Sequence, residues 1–120
     1  MMELKKFVID GKEIEFVNSY HKTRDGFAHN TSLFIDNYCY GEAACHYLNR
    51  TWECYEYQTV MIKAIKKLMD SRAEWLKNNF KTEHGYTRLT TTRQADFIDL
   101  RNSDPQFALY LKILEELERY

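Results

Sequence analysis

Apolar and polar residues alternate along the first half of the chain, which is the pattern of half-buried strands. Asp10-Gly11 follows the first apolar run and favours a tight hairpin turn. A polar stretch around Gly26 predicts a loop or a second turn, and Gly41 separates the last two runs. The sequence therefore predicts four antiparallel strands joined as a meander, within residues 4–9, 12–20, 31–40 and 42–52.

Beyond Cys54 the apolar residues recur every three or four positions, as they do in an amphipathic helix. Gly85 is a suitable stop for a long first helix. Residues 90–92, three threonines, can cap a short helix, and Asp104 before Pro105 predicts the start of a last one. The long helix should bury Tyr57, Val60, Met61, Ala64, Leu68, Trp75 and Leu76, the short one Phe97, Ile98 and Leu100, and the last Phe107, Tyr110, Leu111, Leu114 and Leu117.

These elements predict an α+β fold, in which an N-terminal antiparallel β-sheet of about four strands packs against C-terminal helices, one of them long. The 120 residues fit a single domain, 1–120, with the β-sheet part in 1–52 and the helical part in 53–120. We expect helices on one face of the sheet. On the other face we expect apolar and aromatic residues such as Tyr38 and Tyr40, covered by a second subunit.

Composition narrows the partners of such a domain. Nine tyrosines and seven phenylalanines exceed the needs of a core this small, so some rings should line a groove or a subunit interface. The net charge of −1 argues against a general binder of duplex nucleic acid, which usually carries a basic surplus. No segment reads as a signal peptide or a membrane span, so we expect no membrane partner.

The chain carries no recognisable catalytic or metal-binding motif. Cys39, Cys45 and Cys54 are odd in number and lack a C-x-x-C spacing, so reduced thiols are expected rather than disulfides. Cys45-His46 is the only adjacent pair of metal ligands, and neighbours on a strand point to opposite faces. A buried structural cysteine is favoured over a thiolate nucleophile. We therefore predict no catalytic residues, no metal and no cofactor.

Three predicted loop segments each combine an arginine with an aromatic ring: residues 22–29, 46–53 and 85–88. Such a set suits a nucleotide. Arginine matches phosphate oxygens with its planar fork, and aromatic rings stack on bases. The alternative for Arg50 and Trp52 is structural, with the tryptophan buried and the arginine paired to a carboxylate. Lys63, Lys66 and Lys67 fit a solvated helix face better than a ligand site. The candidate ligand-binding residues are Arg24, Phe27, His29, Asn49, Arg50, Trp52, Tyr86 and Arg88.

Two segments carry a resemblance to a known family. Residues 49–61 (NRTWECYEYQTVM), preceded by residues 26–35 (GFAHNTSLFI), resemble the first Thoeris anti-defence family of phage proteins, including its members from clostridial phages. The resemblance extends over nearly the whole chain, and the order of strands before helices agrees with it.

The resemblance implies a sponge: a protein that binds glycocyclic ADP-ribose, a messenger of TIR-domain immune proteins, without degrading it. It also implies that cyclic dinucleotides bind at the same sites and cyclic trinucleotides at separate sites. Those separate sites form in a hexamer whose building block is a dimer. Activation of Thoeris and CBASS effectors would then be blocked in the host bacterial cytoplasm.

Two other functions remain open at the level of sequence. One is a protein-binding inhibitor of a host defence complex, comparable to an anti-CRISPR protein, which would form a stable complex and need no small molecule. The other is an enzyme that cleaves the signal. It would need a general acid or base near the ligand, for which His29 and His46 are the candidates.

Overall fold

The computed structural model describes residues 2–22, 24, 26–48 and 57–119. Within this range, the side chains of residues 2, 20, 21, 26, 27, 29, 44–48 and 57 lie outside the description. The predicted α+β fold is confirmed: a four-stranded antiparallel sheet in the order β1-β2-β3-β4 precedes three helices. The elements are β1 (Met2–Ile9), β2 (Lys12–Lys22), β3 (Gly26–Ile35), β4 (Tyr38–Leu48), α1 (Tyr57–His84), α2 (Thr91–Ser103) and α3 (Pro105–Glu118).

Two tight turns of the same kind lie at one end of the sheet. Asp10 (φ 51°) and Gly11 (φ 77°) connect β1 to β2, and Asp36 (φ 49°) and Asn37 (φ 68°) connect β3 to β4. Positive φ at both central residues is the geometry that follows the twist of an antiparallel pair. The first turn confirms its prediction. The second turn corrects a prediction. The chain turns at Asp36-Asn37, inside the segment 31–40 for which the sequence predicts a single strand.

Gly41 does not separate two strands but lies inside β4. Its φ of 154° is one that other residues rarely adopt, and a Cβ atom there would overlap Cδ2 of Leu68 on α1. The register between β3 and β4 shifts at this point, since Leu33 pairs with Gly41 and Phe34 with Cys39. Glycine is therefore required by close approach of the helix and by a bulge, rather than by a turn.

The main core lies between one face of the sheet and the antiparallel helices α1 and α3. Gln58 donates to the carbonyl of Leu117 at one end of this helix pair (2.7 Å), and Arg72 pairs with Asp104 at the other (2.8 Å). The buried side chains at its centre are Ile14, Phe16, Leu33, Ile35, Ala64, Ile65, Tyr110, Ile113 and Leu117. Burial of this one sheet face fixes the register of the strands.

The last part of α1 continues beyond the main core and packs against α2. A second, smaller cluster forms there from Leu76, Phe80 and Phe97. Four residues predicted as buried are exposed: Trp75 retains 55% of its accessible surface, Leu100 and Leu111 retain 41% each, and Ile98 retains 36%. They belong to helices whose apolar stripe is wider than the surface available to cover it.

The described part of the sheet face opposite the helices carries apolar residues, Val8, Val17 and Phe34, beside charged and polar ones, but Tyr38 and Tyr40 do not lie on it, which corrects their predicted placement. Lys6 Nζ lies 2.7 Å from a carboxylate oxygen of Glu13 on the neighbouring strand. Asn30 donates to Glu42 across β3 and β4 at 2.8 Å. Cross-strand pairs of this kind are typical of a sheet face in contact with water.

Tyr40 lies on the helix side of the sheet, where its ring meets the edge of the Tyr110 ring of α3 at 6.5 Å between centroids. Tyr38 pairs in register with the buried Ile35, yet it remains 76% exposed because it lies at the end of the strand. Neither tyrosine therefore contributes to the face that a second subunit was expected to cover. No helix in the described part of the chain is long and apolar enough to cross a membrane.

Candidate functional site

The described backbone of the predicted ligand residues Arg24, Phe27 and His29 lies toward the sheet end remote from the two tight turns. Arg24 is exposed in the bend between β2 and β3. The backbones of Phe27 and His29 lie in β3, where they pair with Lys22 and Tyr20. The side chains of Phe27 and His29 lie outside the description, and so do Asn49, Arg50 and Trp52 altogether.

Tyr86 and Arg88 lie at the opposite end of the molecule. Leu68 of α1 packs on Gly41, near the two tight turns. From Leu68 the helix advances about 24 Å further to His84, at roughly 1.5 Å per residue, in the direction away from Arg24. Within one chain, Arg24 therefore does not converge on a single pocket with Tyr86 and Arg88.

The ring of Tyr86 is already in contact with neighbouring side chains. The guanidinium carbon of Arg93 lies 3.8 Å from the ring centroid, and the His84 ring stacks on it at 5.3 Å. Phe80 of the second core cluster adds an edge contact at 6.0 Å. We call this group of His84, Tyr86 and Arg93 the elbow, since it joins α1 to α2. Arg88 is exposed beside it.

A cleft of about 460 Å³ lies between the first tight turn, Tyr40 of β4 and the start of α3. This volume falls in the usual range of roughly 300–1,000 Å³ for small-molecule sites. We call it the α3 cleft, and its walls include Asp10, Lys12, Tyr40, Gln106, Leu109 and Lys112.

Two ammonium groups face the α3 cleft. Lys12 is exposed and has no ion pair among the described residues, whereas Lys112 Nζ lies 2.6 Å from Oδ2 of Asp10. Asp10 is the only carboxylate among the described lining residues, so the lining carries one more positive than negative charge. The cleft is therefore suited to an anion, although the chain as a whole is slightly acidic.

The aromatic wall of the α3 cleft is Tyr40, which is 41% exposed. The ring of Tyr110 supports it from behind, edge to face, and is almost fully buried. Burial raises the pKa of Tyr110, so its hydroxyl stays neutral and accepts a hydrogen bond from Gln106 Nε2 at 2.7 Å. The part of the Tyr40 ring that Tyr110 does not cover is left available for stacking.

The start of α3 is held in place by Asp104. Its carboxylate accepts from the backbone N–H of Phe107 at 2.9 Å and from the Arg72 guanidinium at 2.9 and 2.8 Å. The hydrogen bond and charge of Arg72 hold the pKa of Asp104 below its usual value. Arg72 also lies over the ring of Trp75 at 4.4 Å. This contact set fixes the helix that carries Gln106 and Lys112.

Four residues that line the α3 cleft are not among the residues that the sequence singles out as ligand candidates: Lys12, Tyr40, Gln106 and Lys112. The position of Lys12 directly after the Asp10-Gly11 turn was a local signal that could have been used. Lys112 meets Asp10 across 102 residues of sequence, and no local pattern carries that information. The sequence pattern predicts Tyr40 on the opposite face of the sheet, away from this cleft.

No group of three or more His, Cys, Asp and Glu residues in the described part of the chain could hold a metal ion. Comparison with known proteins gives no further assignment: no protein-family model, curated protein or solved structure matches the chain.

Proposed function

We propose that the protein binds glycocyclic ADP-ribose and holds it without degrading it, so that Thoeris effectors are not activated. Cyclic dinucleotides and trinucleotides are further candidate ligands, by which CBASS effectors would be blocked in the same way. Two things support this: the resemblance carried by residues 26–35 and 49–61, and the chemistry of the α3 cleft. The second rests on the charges and contacts of the cleft residues rather than on the resemblance.

The observation that carries the proposal is the pairing of two lysines with a half-exposed tyrosine in one cleft. A nucleotide presents phosphate oxygens at one end and a planar base at the other. Lys12 and Lys112 suit the phosphates, the Tyr40 ring suits the base, and the Gln106 amide can hydrogen-bond a ribose or base edge. No other described cleft offers this combination.

Binding without cleavage is consistent with the same set of residues. Lysine ammonium groups bind phosphate as fixed charges and are poor bases at neutral pH. Asp10 is the one carboxylate of the described lining, which has no histidine or second carboxylate to complete an acid–base pair. The described lining therefore favours retention of the ligand over general acid–base attack on it.

The free energy of binding that a sponge needs is larger than the contacts of the α3 cleft can supply. Two charge-assisted hydrogen bonds contribute roughly 1.5–3 kcal/mol each, and stacking on one ring roughly 1–3 kcal/mol. Nanomolar affinity, which a sponge needs, corresponds to about 12 kcal/mol. The α3 cleft alone falls short of that, so further contacts must come from another part of the chain or from a second subunit. A dimer building block, as the resemblance implies, meets this need.

A bind-and-release experiment tests the proposal. Excess purified protein is mixed with glycocyclic ADP-ribose, free ligand is removed by filtration, the protein is heat-denatured, and the released material is analysed by mass spectrometry. We expect the intact messenger in stoichiometric amount. Fragments would identify a cleaving enzyme instead, and no recovered nucleotide would remove the sponge function.

A protein-binding inhibitor is the second candidate, and exposed aromatic surface favours it. Trp75 and Tyr38 are 55% and 76% exposed, and both residue types are enriched at protein interfaces. This function predicts that Trp75→Ala abolishes protection of infecting phage while messenger binding is unchanged. If replacing the cleft lysines, as in Lys12→Gln/Lys112→Gln, abolished both messenger binding and protection of the phage, the protein-binding inhibitor would be excluded.

A further inference from the structure

The α3 cleft contains an acidic side chain that its own turn does not require. Asp10 adopts a left-handed conformation before Gly11, and asparagine serves such a turn as well as aspartate does. What aspartate adds is a negative charge, and that charge lies 2.6 Å from the ammonium of Lys112. The carboxylate therefore acts on Lys112 rather than on the turn.

The Asp10–Lys112 pair spans the cleft and is weak. Asp10 follows β1 and Lys112 lies on α3, so the contact joins the two walls. Their side chains are 59% and 52% exposed. An ion pair this exposed is screened by salt and contributes little to stability, so an entering anion can replace the carboxylate at small cost.

We infer that Asp10 is an internal competitor of the ligand. In the empty cleft its carboxylate holds the ammonium of Lys112, and phosphate oxygens of the ligand displace it when they bind. The inference rests on the proposed function, since it assumes that the α3 cleft binds a phosphate-bearing anion. Its consequence is selectivity: a ligand that carries phosphate can displace Asp10, whereas a neutral nucleoside cannot.

The test uses Asp10→Asn, which keeps the turn chemistry and removes the charge. Calorimetric titration measures the affinity of wild type and variant for three probes: glycocyclic ADP-ribose, inorganic pyrophosphate and adenosine. We expect the variant to bind the two phosphate-bearing probes about two- to fivefold more tightly, the range that an exposed ion pair allows. Binding of adenosine should not change.

Asp36→Asn is the matched control, because Asp36 occupies the equivalent position of the other tight turn and does not line the cleft. It should leave all three affinities unchanged. Displacement itself is followed by the carboxyl carbon resonance of Asp10 in a ¹³C spectrum. That resonance should move when wild type is saturated with pyrophosphate, and it should stay in place with adenosine.

The outcomes separate this inference from the proposed function. If the messenger binds wild type but Asp10→Asn binds it no more tightly, competition is wrong and sequestration stands. If the variant binds the messenger more weakly and pyrophosphate equally, Asp10 is a ligand residue that accepts from a ribose hydroxyl, which also overturns the inference. If pyrophosphate binds and the messenger does not, sequestration fails, and the effect of Asp10→Asn on pyrophosphate still decides the competition. If neither probe binds wild type, both are wrong.

Discussion

The elbow and the α3 cleft both bring cationic side chains to a tyrosine, yet they differ in what those groups contact. In the elbow, Arg93 lies flat on Tyr86 at 3.8 Å and His84 stacks on the same ring. In the α3 cleft, Tyr40 is supported from behind by Tyr110 while its accessible surface and the ammonium of Lys12 remain open. The elbow groups satisfy one another, whereas the cleft leaves Lys12 without an ion pair among the described residues and part of the Tyr40 ring exposed.

Residue types alone therefore do not identify a ligand site. An arginine next to an aromatic ring has the same chemistry in both roles, and cation–π contacts within a fold are common. What distinguishes a site is unsatisfied binding capacity that faces a concave surface. By that criterion the cleft is the better candidate, and the elbow is a joint that fixes α2 against α1.

The largest expected effect is on ligand binding in the double variant Lys12→Gln/Lys112→Gln. Removing both ammonium groups should weaken binding of glycocyclic ADP-ribose at least about a hundredfold, because each charge-assisted bond contributes roughly 1.5–3 kcal/mol. Calorimetric titration measures the change. A loss smaller than tenfold would contradict a phosphate role for these lysines.

The next-largest expected effect is a loss of folding stability when the contacts of Asp104, at the start of α3, are removed. Asp104→Ala should lower the free energy of unfolding by about 2–4 kcal/mol, because it removes a helix cap and leaves the Arg72 guanidinium without its carboxylate. Asp104→Asn keeps a capping oxygen and should cost less. Urea unfolding followed by circular dichroism gives both values, and equal stability of the two variants would show that the capping oxygen contributes nothing.

The same residue predicts a pH dependence. Because the folded-state pKa of Asp104 is lowered, its stabilising contribution is fully present above the unfolded pKa of about 4. That contribution is lost as the pH falls through the lower folded-state pKa. The difference in stability between wild type and Asp104→Asn should therefore shrink between pH 6 and pH 2. A difference that is constant over this range would contradict the assignment.

A smaller effect is expected at the aromatic wall of the cleft. Tyr40→Ala should weaken messenger binding by roughly 1–3 kcal/mol through loss of stacking, whereas Tyr40→Phe should retain most of the affinity. Titration of both variants checks this. If the phenylalanine variant binds as poorly as the alanine variant, the hydroxyl matters and stacking is not the explanation.

The smallest effect on binding is expected at the elbow. Tyr86→Ala should lower stability by about 1–3 kcal/mol, since it removes a ring packed among His84, Phe80 and Arg93. Messenger affinity should change less than twofold in this variant and in Arg88→Ala. A large loss of messenger affinity in Arg88→Ala, with normal stability, would support the ligand site predicted from sequence. The elbow region would then be a better candidate than the α3 cleft.

The fold could be predicted from sequence because its signals are local. Alternation with period two, the Asp10-Gly11 turn and the Asp104-Pro105 helix start act over a few residues, and each was confirmed. The second turn was misplaced because Gly41 is a stronger breaker than Asp36-Asn37 in sequence terms. The tertiary contact of Gly41 with Leu68 could not be seen there.

The α3 cleft could not be predicted because it is assembled from distant segments. Lys12, Tyr40 and Lys112 come from two strands and the last helix, and each has an unremarkable local context. Tyr86, in contrast, has strong local chemistry that is used within the fold. Sequence reasoning identified residues able to bind a nucleotide, but it could not tell which of them the fold leaves unsatisfied.

The central claim is that the α3 cleft retains a nucleotide signal, and a paired bind-and-release measurement tests it most directly. Wild type, Lys12→Gln/Lys112→Gln and the charge-matched control Lys66→Gln/Lys67→Gln, altered on the exposed face of α1, are compared under identical conditions. We predict recovery of intact glycocyclic ADP-ribose from wild type and from the control, and almost none from the cleft variant. Equal recovery from all three proteins would contradict the account.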